Sequence, residues 1–115
     1  MTAMGILSFF NKKKAPDVEP QGCYATLKVA KENARVGYMY REEPDPDSEL
    51  PDSGWRFFAG DEQDEYLDDP ENIVILSLST VKALDPAVIP YLEAPYGSAF
   101  LRSGDAFVPD RIDER

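Results

Sequence analysis

The sequence predicts one α+β domain with a mainly antiparallel sheet of about five strands and two or three short helices. A chain of 115 residues is long enough to bury a single hydrophobic core. Short runs of β-branched and aromatic residues are separated by proline- and glycine-containing turns, which is typical of a sheet of short strands. The predicted helices do not alternate regularly with the strands, and no connection is expected to be long enough for a parallel crossover.

Two strands and an intervening helix are predicted at the start of the domain. Residues 24–27 suit a short strand, and 29–34 suit a short helix or turn. Residues 35–41 carry aromatic and β-branched side chains with a period of two, which predicts the second strand. One face of this strand would carry Val36, Tyr38 and Tyr40, and the other face would carry Gly37, Met39 and Arg41.

A proline-rich loop and an acidic helix flank the third predicted strand. Three prolines between 43 and 53 are incompatible with regular structure, so this segment is predicted to be a loop. The strand follows at 54–59 and ends at Gly60. Asp61 is expected to cap a short helix within 61–69, whose acidic first turns suit the positive end of the helix dipole.

The most apolar segment of the chain is NIVILSL at 72–78, which predicts the central strand of the sheet. A turn of helix is expected at 80–84. The Asp-Pro pair at 85–86 predicts a cap followed by the first residue of another short helix. The last strand is expected at 98–102, with residues 107–108 as a further edge.

The sequence is expected to divide into an arm and linker at 1–22, a domain at 23–108 and a charged tail at 109–115. The apolar run at 4–10 is far shorter than the roughly 20 residues of a membrane-spanning helix. Three lysines follow this run, so weak peripheral contact of 1–14 with a membrane is an alternative to a docked or mobile arm.

The charge of the chain is concentrated in residues 42–71. This stretch holds thirteen of the 22 acidic residues and one basic residue, Arg56. Its net charge is −12, against −10 for the whole chain. Phosphate groups would be repelled, which argues against nucleic-acid binding. Because Trp55 and two phenylalanines lie inside the stretch, it is expected to form a folded acidic surface, and such a surface favours a basic protein partner.

Most catalytic and metal-binding chemistry is excluded by residue content. The chain has no histidine, which removes Ser-His-Asp and Cys-His catalysis and histidine zinc sites. Neither calcium-loop register within the acidic stretch places glycine and glutamate where an EF-hand needs them. The single cysteine, Cys23, has no partner for an intrachain disulfide, and this favours a reducing cytoplasm. We therefore expect a protein that is not an enzyme and needs no cofactor or metal ion.

Two groups of residues are candidates for distinct roles. The expected partner-binding surface is acidic with one aromatic anchor, and consists of Asp61, Glu62, Asp64, Glu65, Tyr66, Asp68 and Asp69. The expected structural motif, whose rings and arginines would hold the fold, consists of Tyr38, Arg41, Trp55, Arg56 and Phe57.

Three segments together resemble one bacterial protein family. They are VGYMYREEPD at 36–45, DSGWRFFAGDEQDEYLDDPEN at 52–72 and DPAVIPYLEAPYGSAF at 85–100. The family was formerly a domain of unknown function and is described as an immunity-protein family of polymorphic toxin systems. The resemblance implies a small cytoplasmic protein that binds and neutralises a toxin domain, and it provides no catalytic residues.

Two other functional classes stay open at this point. The first is a non-catalytic accessory or housekeeping domain without a cognate toxin, in which the acidic residues serve solubility. The second is a carboxylate-based enzyme or cation binder, because paired carboxylates are unavoidable in so acidic a stretch.

Overall fold

A computed structural model describes residues 21–47 and 51–110 of the protein. The six strands are β1 Gly22–Thr26, β2 Tyr38–Arg41, β3 Asp52–Phe58, β4 Ile73–Ser77, β5 Ala99–Ser103 and β6 Ala106–Pro109. The helices are α1 Leu27–Lys31, α2 Asp64–Leu67 and α3 Leu78–Leu84, with 3-10 helices at Pro70–Asn72 and Pro86–Tyr91. The predicted α+β class with short helices is confirmed, and the further edge expected at 107–108 is β6.

The strands form one mixed sheet in the order β4-β1-β3-β2-β5-β6. The β1–β3 pair is parallel, and the other neighbouring strands are antiparallel. The expectation that no connection is long enough for a parallel pair was wrong. The chain between β1 and β3 includes α1 and β2, and a parallel crossover needs only a dozen or so residues.

One face of the sheet is covered by α1, α3 and the 3-10 helix Pro86–Tyr91. Trp55 and Phe57 project from β3 into this layer and are fully buried, as is Met39 from β2. The helices supply the valines that pack against them, Val29, Val81 and Val88. Because side chains alternate along a strand, every second residue points to the opposite face of the sheet, which has no helical cover within the described residues.

The apolar strand β4 lies at the edge of the sheet, so its predicted central position was wrong. A continuous apolar run predicts burial on both faces, but Ile75 points to the uncovered face and is 57% exposed. The covered face of β4 contributes Leu76, which packs against the core. The apolar composition of β4 therefore does not mean that both faces of the strand are buried.

The face assignment of Val36 was also wrong. Strand β2 begins at Tyr38, so Val36 lies before the regular pleat and is buried in the core. Its backbone N–H donates to the Asp85 carboxylate at 2.9 Å, and Arg102 donates to the same oxygen at 2.7 Å. Asp85 also accepts from the N–H of Ala87, which confirms the predicted cap of the 3-10 helix.

Several boundaries differ from those expected. β3 begins at Asp52, inside the predicted loop, and the helix expected within 61–69 is a single turn at 64–67. Its N-cap is Gln63 without a side-chain hydrogen bond, so Asp61 does not cap it. The strands β1 and β6 extend slightly into the predicted arm and tail. The arm at 1–14, with its alternative of weak membrane contact, lies outside the described residues. Within the described ranges, no helix has the length and hydrophobicity to cross a bilayer.

Candidate partner-binding site

The acidic stretch is divided between the two ends of β3. Glu42 follows β2 beside the start of β3, where its N–H donates to the carbonyl of Gly54 at 2.9 Å. The segment 61–71 follows the other end of β3 and leads into β4. Seven strand residues span roughly 20 Å, so the stretch forms two separate acidic surfaces.

Glu62 fastens the segment after β3 to the end of β1. Its Oε2 accepts hydrogen bonds from Thr26 Oγ1 at 2.6 Å and from the N–H of Ala59 at 2.7 Å, and its Oε1 accepts from the N–H of Gly60 at 2.9 Å. Burial of the carboxylate opposes ionisation, but these hydrogen bonds outweigh it and lower the pKa of Glu62. The side chain predicted as a partner contact is therefore engaged within the domain.

Asp61 and Tyr66 share a basic neighbour from α1. Lys28 Nζ donates to Asp61 Oδ1 at 3.0 Å, and this hydrogen bond raises the pKa of Lys28. The same Nζ lies 5.3 Å from the centre of the Tyr66 ring, which is compatible with a cation–π contact. The Tyr66 hydroxyl is buried and has no hydrogen-bond partner among the described residues. The tyrosine expected as an exposed anchor is thus half-buried beneath Lys28.

The remaining carboxylates of this segment point to solvent. Asp64 and Glu65 form the acidic first turn of α2. Asp69 accepts from the N–H of Glu71 and begins the 3-10 helix Pro70–Asn72. Within the described ranges, Asp61 alone among these acids is in an ion pair. We call the exposed set the acidic patch, which comprises Asp61, Asp64, Glu65, Asp68, Asp69 and Glu71.

Arg56 is buried in β3 and is held by two carboxylates. Its guanidinium binds both oxygens of Asp52 at 2.9 and 3.0 Å, and its Nε donates to Glu42 at 2.7 Å. A third contact stacks the guanidinium over the Tyr24 ring at 4.3 Å. Hydrogen bonds from Arg56 are the main cause that lowers the pKa of Asp52. One arginine and two carboxylates leave this cluster with a net charge of −1.

Arg41 and Trp55 join the sheet to the loop that precedes β5. Arg41 donates to the carbonyl oxygens of Ser53 and Ala94, each at 2.8 Å, while Trp55 Nε1 donates to that of Leu92 at 3.0 Å. Phe57 lies beside Trp55 in the buried layer, with ring centres 6.1 Å apart. Arg41 thus donates to backbone carbonyls here, whereas three of the four hydrogen bonds that Arg56 makes within the described residues go to carboxylates.

The uncovered face of the sheet carries an aromatic cluster. Tyr38 and Tyr40 of β2 lie next to Phe58 of β3, and the Tyr40 and Phe58 rings stack with centres 5.7 Å apart. Burial is the first cause that raises the pKa of both tyrosines. On either side, Ile75 and Leu101 remain about half exposed. This face therefore presents an apolar surface that the described helices leave open.

A groove crosses this face from β1 over β3 to β2. Its volume is about 100 Å³. Its lining includes Tyr24, Thr26, Tyr40, Glu42, Arg56, Phe58 and Ile73. This volume is below the roughly 150 Å³ of an engineered cavity that admits benzene, so the groove suits one side chain. Sequence reasoning missed the groove because its lining comes from four strands that are distant along the chain.

The remaining candidate groups carry little chemistry. Cys23 is buried and donates to the carbonyl of Leu76. Burial raises the pKa of the Cys23 thiol to about 12, which leaves almost no thiolate at neutral pH. Within residues 21–47 and 51–110, no three acidic or thiol side chains come together as a metal site.

Comparison with known proteins places the chain in a family. No curated protein and no solved structure matches the chain. The model of the immunity protein Imm33 domain matches residues 23–108. This match covers most of the chain and confirms the predicted resemblance to an immunity-protein family. The protein therefore belongs to the Imm33 family of immunity proteins.

Proposed function

We propose that this protein neutralises a bacterial toxin domain by binding a basic surface of the toxin through the acidic patch. Membership of an immunity-protein family supports a protein partner. The observation that carries the choice of surface is the exposure of six carboxylates of one sign on a single segment, 61–71. Lys28 is the basic side chain in contact with this segment, and it compensates Asp61.

The position of these carboxylates supports a role in association. Exposed like charges repel one another and contribute little to folding, since even opposite charges at a surface interact by only about 0–1 kcal/mol. The same charges attract an oppositely charged partner over a Debye length of roughly 8–10 Å and accelerate its association. The same charges repel acidic proteins, which makes the patch selective for basic partners.

The protein would neutralise the toxin by occupying its basic cleft, without catalysing a reaction. A nuclease or another toxin that acts on an anionic substrate needs a basic cleft, and an acidic patch competes for that cleft as a substrate would. The patch presents Asp64 and Glu65 on a helical turn, and this turn is fixed to β1 through the neighbouring Glu62. A fixed turn loses less conformational entropy on binding than a flexible acidic tail would.

The test is a protection assay with the toxin domains encoded beside this gene. Each toxin domain is expressed in a bacterial host with the wild-type protein, with the double variant Glu65→Lys/Asp68→Lys, or with the control Glu93→Lys/Asp105→Lys. All four positions are exposed, and both variants change the net charge equally. The patch variant is expected to lose protection, while the control retains it.

Binding rates measured with the purified proteins make the test quantitative. Reversal of two patch charges is expected to slow association by about tenfold or more at low salt, and to flatten its salt dependence. Equal protection and equal salt dependence for both variants would exclude the acidic patch as the interface. Failure of the wild-type protein to bind any neighbouring toxin would favour the accessory-domain alternative.

A further inference from the structure

We propose that the groove on the uncovered sheet face binds one lysine or arginine side chain of the partner. This inference rests on the proposed function for the nature of its partner, a basic protein. It adds a second contact region, on the sheet and separate from the acidic patch. The groove is large enough for one side chain and is lined by residues of β1 to β4.

The electrostatics of the groove favour a cation over an anion. Arg56 is the positive group in its lining, but four of its hydrogen bonds go to Asp52, Glu42 and the carbonyl of Trp55. Little donor capacity remains for an anionic ligand, since a guanidinium has five N–H groups. The cluster of Arg56 with its two carboxylates has a net charge of −1, and the Glu42 side chain is 50% exposed.

The shape and chemistry of the walls select a side chain with an apolar stem and a charged end. Tyr40 and Phe58 form a stacked aromatic wall, and Ile73 adds an aliphatic surface. Lysine and arginine bury their methylene stems against such surfaces while their charged ends stay accessible. The ring faces attract a cation, and Glu42 lies at the groove to accept its hydrogen bond. Within the described residues, Oε1 of Glu42 receives no hydrogen bond, whereas Oε2 is bound to Arg56.

The test uses short peptides, so it does not depend on the identity of the toxin. The full-length protein labelled with ¹⁵N is titrated with acetyl-Gly-Lys-Gly-amide, and with the same peptide carrying arginine, norleucine or glutamate. The lysine and arginine peptides are expected to shift the amide signals of Tyr24, Tyr40 and Phe58, with dissociation constants on the order of millimolar. The norleucine peptide keeps the stem without the charge and should bind at least about fivefold more weakly.

Two variants define the site, and their spectra report whether each is folded. Glu42→Gln keeps an acceptor for Arg56 but removes the charge, and Tyr24→Leu removes the exposed ring beside the guanidinium. Each substitution is expected to raise the dissociation constant of the lysine peptide by about fivefold. The matched change Glu65→Gln, in the acidic patch, should leave peptide binding unchanged. Shifts confined to residues 64–69, or none at all, would overturn the proposal.

Other occupants of the groove give distinct results, and each would overturn it. If the same signals move with protein concentration alone, a second copy of the chain is the occupant. If they move when Lys12, Lys13 and Lys14 are replaced by alanine, the occupant belongs to this chain.

The toxin measurement separates failure of this inference from failure of the proposed function. A toxin that binds the wild type and Glu42→Gln equally, but not the acidic-patch variant, leaves the proposed function intact and removes the groove from it. Peptide binding in the groove without any toxin binding would support the groove as a binding site and reject the proposed function.

Discussion

Glu62 and Glu65 lie three positions apart in the same acidic segment, yet the structure assigns them opposite roles. We predict that Glu62→Gln destabilises the fold, while Glu65→Gln leaves its stability unchanged within about 0.5 kcal/mol. Glu62 accepts three hydrogen bonds, from Thr26 and from the N–H groups of Ala59 and Gly60. A glutamine has one acceptor oxygen, and its amide NH₂ would face one of these donors.

The expected magnitude follows from the burial of the three donors. A hydrogen bond to a charged group contributes about 1.5–3 kcal/mol. Gly60 is exposed, so water replaces its bond, but Thr26 is buried and Ala59 is half-buried. Loss or weakening of those two bonds is expected to lower the free energy of unfolding by about 3 kcal/mol. Each kcal/mol corresponds to about 4–8 °C in a small domain, so the melting temperature should fall by roughly 12 °C or more.

Urea unfolding followed by circular dichroism measures this difference at neutral pH and again in acid. The pKa of Glu62 is lower in the folded protein than its ordinary value of 4.5, so the stabilisation is complete above that pH. It is lost as the pH falls below 4.5 through the folded pKa, and the two variants should converge there. Equal stabilities of Glu62→Gln and Glu65→Gln at neutral pH would refute the assignment of Glu62 to the fold.

Three further predictions concern buried groups. The pKa of the Cys23 thiol is about 12 in the folded state, against 9.0 ordinarily. The free energy of unfolding should therefore decline between pH 9 and 12, and it should decline less steeply in Cys23→Ala. A thiol reagent should react with Cys23 only when the protein unfolds. Asp85→Ala removes the carboxylate that accepts hydrogen bonds from Arg102 and from the N–H of Val36. This variant should cost about 3–5 kcal/mol, measured by denaturation with the exposed Asp105→Ala as control. The methyl group in Gly54→Ala would lie 2.2 Å from the carbonyl oxygen of Glu42, and residue 54 has a φ of +91°. Denaturation should therefore show that this variant loses about 3 kcal/mol or more of its free energy of unfolding. Gly97→Ala, also at positive φ but in open space, should lose less.

Local sequence signals sufficed for much of the fold. The aromatic block at 55–58 and the Asp-Pro pair at 85–86 predicted a strand and a capped turn, because strand propensity and capping depend on neighbouring residues. The position of β4 was not predictable in this way. Strand order depends on which segments pair over long distances, and an edge strand that is apolar on an uncovered face has the same composition as a central one.

The candidate site divides in the same manner. The exposure of Asp64, Glu65 and Asp68 agrees with a simple reading of an acidic turn. The roles of Glu62 and Lys28 depend on contacts across 36 and 33 positions, with Thr26 and Asp61 respectively. No local pattern distinguishes an acidic side chain that faces solvent from one that accepts hydrogen bonds from a distant strand.

The most direct test of the proposed interface is the footprint of a bound toxin domain on this protein, measured by hydrogen–deuterium exchange. We expect slower exchange on binding at residues 61–71 and in strands β1 and β2 beside the groove, and unchanged exchange in α3 and Pro86–Tyr91 on the covered face. A footprint confined to those helices would place the interface on the opposite side of the sheet, and would contradict both the acidic patch and the groove.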